Sequence, residues 1–441
     1  MLPSEPANPA RTTRVDRGCL AAAFALTLTW FFIYDHYRPD YLVDEPGHLG
    51  NIYHFIEGKP GWPEQMTMLP GYHFLVTALW QLHPPLKLLT LARLVASLSA
   101  CLGLAAFALA WTRLHRRPAS RTSHLADYRI SSAGPVTLQL AVLPIFEPFT
   151  GLAYTDAPAL AFALVAVAAH LWGHRALAAL AFVPALLTRQ TNLLWPAFLI
   201  AYELLRADAP RREFFYRTRW LLLLLSASAV AIAVALATAG RLTPGTQTGN
   251  DLRFNPATLH FAGLLTLVLG LPTWFAAAPS AFRNFLAALR RRPGLTLALS
   301  AIALAAAVGL TLTFRNPHPW NRDLFWEGCT FTLLRNWPLV WLDSDPFLRA
   351  SSGLNLVLMA LALTLTISSQ SYSLLLWLAL GFGALQPFTN SLVEPRYFIP
   401  VAAFFLLFLD LTPATTRRLT FWWLLLCAVH APFVACGLSL W

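Results

Sequence analysis

Long apolar runs alternate with short polar linkers along this chain, and that alternation limits its fold more than any other feature. Several runs approach or exceed the roughly 18–20 residues that cross a bilayer core. Inside a bilayer each segment must satisfy its own backbone hydrogen bonds, so runs of this kind are read as helices. Hydrophobic residues make up 57% of the 441 positions and charged residues only 12%. A soluble chain carries about twice that share of charge. The expectation is an all-α polytopic membrane protein with about 11–13 transmembrane helices. The linkers leave no room for a soluble unit, so residues 1–441 form a single transmembrane domain.

The formal net charge is +11, and nearly all the excess is arginine, with lysine only at Lys59 and Lys87. A basic chain raises the question of nucleic acid. These arginines lie in short loops between apolar runs, where membrane orientation accounts for them, so nucleic acid is excluded as a partner. The cysteines are scattered without CxxC or metal spacing and define no disulfide framework.

Arginine asymmetry orients the loops. The tail 1–17 carries Arg11, Arg14 and Arg17 and is assigned to the cytoplasm. A first helix over about Gly18–Tyr34, read as uncleaved, delivers the outer loop 35–72 to the far side. The segments 111–130, 206–219, 283–294 and 415–418 are arginine-rich and face inward. The segments 147–158, 241–260, 314–328 and 390–398 face outward. The apolar stretch from Arg175 to Arg206 is broken by "TRQTN" and is read as a hairpin of two short crossings with Arg189, Gln190 and Asn192 near its outer tip. Between 323 and 386 the number of crossings stays open, with "TFTLLRNWPLVWLD" as a candidate interfacial segment.

The two sets of loops differ in chemistry. The inner loops hold arginine and little else. Six of the 21 acidic residues fall between Asp35 and Glu64, five of them in "PDYLVDEPGHLGNIYHFIEGKPGWPEQMTMLPGYHF". Adjacent Asp44 and Glu45 supply candidates for a general base, one catalytic and one structural, because adjacent side chains point apart. His48 shares their face if the segment is helical. Asp156 in "AYTDAP" suits both a helix cap and a substrate contact. Arg189, Gln190 and Asn192 set one cation and two amides in an apolar hairpin. "HPWNRD" offers His318, Asn321 and Arg322; "EPRYF" offers Glu394, Arg396 and Tyr397. Arginine presents paired donors that match phosphate, although Arg396 could equally form an internal ion pair with Glu394. Outer arginines opposite an acid-rich loop point to a lipid-phosphate substrate. The chain contains no P-loop, GxGxxG or HExxH pattern. A DxD-like pair occurs only as "DSD" at 343–345.

The residues from Tyr41 to Phe74 resemble the first luminal loop of the dolichyl-phosphate-glucose-dependent α-1,2-glucosyltransferases, which add the last glucose to the lipid-linked oligosaccharide of N-glycosylation. The shared pattern is an Asp-Glu pair, a histidine three residues on, and a later Thr-X-X-Pro-Gly-aromatic turn, here "TMLPGY". The likeness continues in order through "YTD" (154–156), "RQTN" (189–192), "GNDLRFNPATLH" with Asp251 and His260, "HPWNRD" and "EPRYFIP". The chain departs from the family at "WPEQM", where the family has Trp-Asp-Pro, and at "WNRDL", which reduces an Asp-Asn-Arg-His-Tyr run.

The resemblance implies a GT-C type bundle with its active site at the outer face: the endoplasmic reticulum lumen in a eukaryote, or the periplasmic side of the inner (plasma) membrane in a bacterium. It implies an inverting transfer of a hexose, glucose in that family, from a polyprenyl- or dolichyl-phosphate donor to a hydroxyl of a glycan or lipid-linked glycan, forming an α-1,2-type linkage. In that reading Asp44 is the base, with Glu45 second. His48, Tyr154 and Asp156 position sugar hydroxyls. Gln190 and Asn192 act as amide partners of the sugar. Arg189 serves the phosphate or the glycan, while Arg322 and Arg396, helped by His318, hold the donor phosphate. No cofactor is assigned, and a divalent cation is left open. A mannosyl- or arabinosyltransferase acting on another envelope glycan would use the same kinds of residue. A lipid or sugar transporter would place polar groups near the midplane on broken helices and show internal repeats; here they gather near one face.

Overall fold

The computed structural model describes residues 9–37, 40–42, 44–64, 66–82, 86–115, 131–205, 211–239, 253–322 and 333–435. Asp251 of the expected site lies outside the described residues, as does most of the inner basic stretch 111–130.

All regular structure among the described residues is helical. The first part of the chain forms α1 (Pro9–Tyr37), α2 (Glu45–Ile56), α3 (Gly71–Leu82), α4 (Leu88–His115) and α5 (Ala133–Ala141). The middle forms α6 (Asp156–Leu171), α7 (Arg175–Thr188), α8 (Leu194–Leu205), α9 (Arg211–Ala239), α10 (Ala257–Arg291) and α11 (Pro293–Thr313). The last part forms α12 (Leu333–Ser344), α13 (Pro346–Ser368), α14 (Ser373–Phe388), α15 (Ile399–Phe408) and α16 (Pro413–Ala435).

Among the described residues, six helices are long and apolar enough to cross a membrane: α1, α4, α9, α10, α11 and α13. This is an integral membrane protein. The six fall short of the 11 to 13 spans read from the sequence, because several apolar runs are broken. The expected outward crossing from Val136 is the nine-residue α5 followed by a 3-10 turn at Glu147–Thr150. Shorter apolar helices take the place of full-length spans at α6, α7, α14 and Pro395–Phe408.

Polar pairings join the helix ends in two groups, one at an arginine-rich end and one at an acidic end. At the arginine-rich end, Gly134 N–H donates to Asp16 Oδ1 at 3.1 Å, joining α1 to α5. There too, His115 of α4 lies 3.7 Å from Asp410, just past α15. At the acidic end, Thr90 Oγ1 donates to Asp35 Oδ1 at 2.8 Å, joining α4 to α1. The expected hairpin is present. Gly173 turns the chain between α6 and α7 with φ +89°, a left-handed conformation that favours glycine. Arg189, after α7, then pairs with Asp156 at the start of α6 at 2.9 Å. The return arm α8 brings Glu203 to His170, at the far end of α6, at 3.0 Å.

Two further pairings give the directions of the helices in the described part of 323–386, residues 333–386. His260 of α10 contacts Ser352 near the start of α13, and Tyr372 Oη, just before α14, donates to Leu114 O at the inner end of α4. So α13 and α14 run in opposite directions. At 12 residues α12 is about 18 Å long, too short to cross. Asp345 of "DSD" caps α13, accepting from Phe347 N–H at 2.7 Å and Leu348 N–H at 3.1 Å.

The core lies among α4, α5, α6, α8, α14 and α15. Gly103 of α4 sits against Ala161 of α6 so closely that an added Cβ would lie 3.1 Å from the Ala161 Cα. Small residues permit this approach where hydrocarbon on either side removes the usual apolar driving force. Trp195 stacks on Phe404 with centroids 3.6 Å apart, locking α8 to α15. Arg396 stands in the 3-10 turn Pro395–Phe398 that leads directly into α15.

Candidate active site

The Asp-Glu pair sits at the start of α2, and its two carboxylates have opposite environments. Glu45 is fully buried. Its Oε1 accepts from Arg93 Nε at 2.9 Å and Ala153 N–H at 2.8 Å. Its Oε2 accepts from Arg93 Nη2 at 2.6 Å and Leu42 N–H at 2.9 Å. A carboxylate offers about four acceptor positions, and all are filled. Arg93 in turn donates to Tyr34 O at 2.9 Å and Asp40 O at 3.1 Å. The pair therefore ties α2, α4, the end of α1 and the 151–155 loop into one unit. Glu45 leaves no face for a substrate, which removes the geometric basis for treating it as the second base.

Asp44 points the other way. Its side chain is 46% exposed and lies 3.0 Å from Arg396 Nη2. Its backbone N–H donates to Tyr154 Oη at 2.8 Å. Arg396 also pairs through Nε with the buried Glu394, so the internal ion pair and the contact across to the acidic loop coexist. The Arg396 guanidinium lies over the rings of Tyr154 and Tyr397 at 5.3 and 5.7 Å, within the range of a cation–π contact.

Asp156 is buried at the first turn of α6, but no side-chain cap bond is made there. It accepts instead from Arg189 Nη2 at 2.9 Å, while Arg189 Nε donates to Thr155 Oγ1 at 3.1 Å. Arg189 also lies 6.0 Å from the Tyr397 ring. Four sequence motifs spread over 350 residues thus meet: Asp44 from the first loop, Tyr154 and Asp156, Arg189, and the Glu394–Tyr397 turn.

His48, one turn into α2, borders this cluster. Its ring packs edge-on to Tyr154 with centroids 5.2 Å apart, and its Nδ1 lies 3.1 Å from His73 Nε2. Burial, with the Arg396 and Arg189 guanidiniums nearby, pushes the His48 imidazole down to about 3. It is neutral at physiological pH. The first turn of α3 is held by Gly71, where an added Cβ would lie 2.8 Å from the Leu187 carbonyl carbon. No side chain but hydrogen fits there, which explains the Pro-Gly turn.

Other expected site residues lie elsewhere or face elsewhere. Asn192 is buried and donates to Ala185 O at 2.9 Å and Ala159 O at 3.4 Å, closing the α7–α8 tip onto α6. Gln190 makes a long contact, 3.5 Å, with Thr67 O. His260 is buried in a helix junction; its Nδ1 lies 3.0 Å from Ser352 Oγ and its Nε2 3.3 Å from Leu310 O. Both ring nitrogens are used to join α10, α13 and α11, so His260 is not available to a sugar. His318 Nδ1 accepts from Trp320 N–H at 3.2 Å, capping a 3-10 turn. Asn321 Nδ2 donates to Val393 O at 2.9 Å and its Oδ1 accepts from Val393 N–H at 2.9 Å. This side chain grips the strand-like backbone just before Glu394. Arg322 is exposed, and its Nε donates to Asn316 O at 2.6 Å. "HPWNRD" therefore braces the Glu394–Tyr397 turn through Asn321.

Two residues that matter here were missed in the sequence. Arg93 is a lone arginine inside the apolar run "LLTLARLVASL", a position where a charge is costly and needs a partner; that isolation was the signal. His73 stands in the quoted "PGYHF" and had no signal beyond its proximity in sequence to the turn.

Residues 38–218 match the model of the DIE2/ALG10 family, the dolichyl-phosphate-glucose-dependent α-1,2-glucosyltransferases. The family named from the motifs is thus borne out over that range. Its members are glycosyltransferases that use a dolichyl-phosphate sugar donor. No curated protein sequence matches the chain. Among solved structures, the crystal structure of ArnT from Cupriavidus metallidurans in the apo state is similar at 14% identity and a TM-score of 0.41, over 92% of this chain and 77% of that one.

Proposed function

We propose that this protein is an inverting membrane glucosyltransferase that moves glucose from a dolichyl- or polyprenyl-phosphate carrier to a hydroxyl of a lipid-linked glycan, forming an α-1,2-type linkage at the acidic, outward face. The observation that carries the proposal is the 3.0 Å pairing of Asp44 with Arg396. An exposed carboxylate and a guanidinium suited to phosphate stand side by side in one cluster, and the carboxylate lies inside the range that matches the family.

The chemistry follows from that adjacency. The donor phosphate takes the Arg396 face that Asp44 occupies, while Glu394 keeps the guanidinium in place. Asp44, released from its partner, accepts the proton of the acceptor hydroxyl. The hydroxyl oxygen forms a bond to the anomeric carbon as the bond to the phosphate oxygen breaks. A single in-line displacement turns a β-linked donor into an α-linked product. The leaving phosphate stays with Arg396 and needs no acid, since the guanidinium meets its charge. Arg189 and Asp156 fix the floor beside Tyr397, and Tyr154 and His48 line the sugar side. Glu45 and Arg93 hold the backbone of Asp44 rather than react.

A cavity of about 1330 Å³ lies between α10, α14, α15 and α16. It runs from Phe388 and Phe398, next to the Arg396 turn, to Asp410 and Arg418 at the arginine-rich end. Its mainly apolar walls suit an isoprenoid chain attached to a phosphate at Arg396.

The test is transfer by the purified protein from a panel of polyprenyl-phosphate sugars bearing glucose, mannose or arabinose, with the anomeric configuration of the product read by NMR. Glucose transfer with inversion supports the proposal. Transfer of another sugar, or retention of configuration, overturns the sugar or the mechanism respectively.

A further inference from the structure

His48 and His73 form an imidazole pair that the reaction scheme leaves without a stated purpose. His73 is fully buried in α3 and His48 is 4% exposed. His48 Nδ1 lies 3.1 Å from His73 Nε2, so one hydrogen is shared between two nitrogens, and two tautomeric arrangements are compatible with the distance. If His48 donates, His73 carries its proton on Nδ1. If His73 donates, its Nδ1 is bare and the His48 proton sits on Nε2.

The surroundings decide between them. His73 Nδ1 is buried without a hydrogen-bond partner. A buried, unpaired N–H is rarer and more costly than an under-used acceptor. The arrangement with His73 as donor is therefore favoured. The tautomer of one imidazole is set by the bond its other nitrogen makes, so the His48 proton is driven to Nε2. The neighbouring tyrosines leave this arrangement in place: Tyr72 Oη spends its proton on Ala92 O at 2.9 Å, and Tyr154 meets His48 edge-on through its ring while its Oη accepts the Asp44 N–H.

We propose that His73 is a positioning residue that locks His48 as a neutral Nε2–H donor aimed at an oxygen of the bound donor substrate, beside Asp44 and Arg396. A neutral donor suits this place. A charged imidazolium would face two guanidiniums, and burial already holds His48 neutral down to about pH 3. The inference rests on the reading of the cluster as the donor-phosphate-sugar site, but not on which sugar is carried.

A double-mutant cycle tests it. His73→Phe, His48→Gln and the double variant are compared with the wild type for kcat/KM and for donor Kd. Each is first checked for an unchanged midpoint of thermal unfolding in detergent. If His73 acts through His48, His73→Phe lowers kcat/KM roughly tenfold in the wild-type background, the scale of one neutral hydrogen bond. It then has no further effect in the His48→Gln background. His73→Gln, whose amide N–H takes the place of Nε2–H, retains activity within a few-fold and serves where His73→Phe does not fold. Additive losses in the cycle, or a folded His73→Gln as impaired as His73→Phe, overturn the proposal. The cycle is run with whichever polyprenyl-phosphate sugar the wild type accepts, so rejection of glucose would refute the sugar assignment and leave the histidine result intact.

Discussion

The substitution Glu45→Gln separates the two adjacent acids. Each Glu45 oxygen accepts from two donors, one on Arg93 and one on the backbone. A glutamine placed either way sets its NH2 against two of those donors and strands the Arg93 charge in a fully buried site. Leaving one partner of a buried ion pair uncompensated costs about 3–5 kcal/mol. Against a total folding stability of ~5–15 kcal/mol, that is a large fraction. The expected phenotype is a protein that unfolds several degrees lower in detergent, with much of the lost stability restored by Glu45→Gln combined with Arg93→Met, since the second change removes the stranded charge. The assay is thermal unfolding in detergent alongside transfer per folded molecule. A Glu45→Gln protein with the wild-type unfolding midpoint and no transfer would refute the reasoning and return Glu45 to the role of base.

Three further outcomes follow from the geometry. Arg396→Lys keeps the charge but loses the fork that serves Glu394 and a phosphate together, so the donor KM should rise roughly tenfold in steady-state kinetics. His260→Ala removes a pin between α10, α11 and α13; it should lower the unfolding midpoint while leaving donor KM unchanged, and a raised KM would restore His260 to the site. His48 has its folded pKa pushed down to about 3 from an ordinary 6.5, so the unfolded chain binds its proton first as pH falls. Stability from this group is full above about pH 6.5 and is lost toward pH 3. From pH 7 to 5 the loss is about 2 kcal/mol at 1.36 kcal/mol per unit, and His48→Gln should abolish that component in unfolding measured across pH.

The gathering of the acidic-loop motifs at one end of the bundle was legible in the sequence, because each lies in a polar linker between apolar runs. Arg189 with Asp156, and Arg396 with Asp44, pair across 33 and 352 positions because both members of each pair were assigned to one face. The inner end of the α7–α8 hairpin closes through His170 and Glu203 for the same reason. What was not legible is which polar side chain faces its own scaffold. Asn192, Asn321 and His260 look like ligand-binding groups in sequence, yet backbone carbonyls and hydroxyls of neighbouring helices consume them. Such partners are set by packing between distant helices, and no local pattern encodes them. Glu45 illustrates the same limit. Its neighbour Asp44 has nearly the same sequence context, and only the position of Arg93, one side of a long helix, decides which acid is buried.

The most direct measurement is donor binding and transfer by Asp44→Asn. With the carboxylate neutralised, Arg396 no longer has to exchange an anionic side chain for the lipid phosphate. The account predicts donor binding at least as tight as in the wild type, with transfer slowed ~10²–10⁴-fold by loss of the base. An Asp44→Asn protein that transfers sugar at the wild-type rate, or that fails to bind the donor while remaining folded, would contradict it.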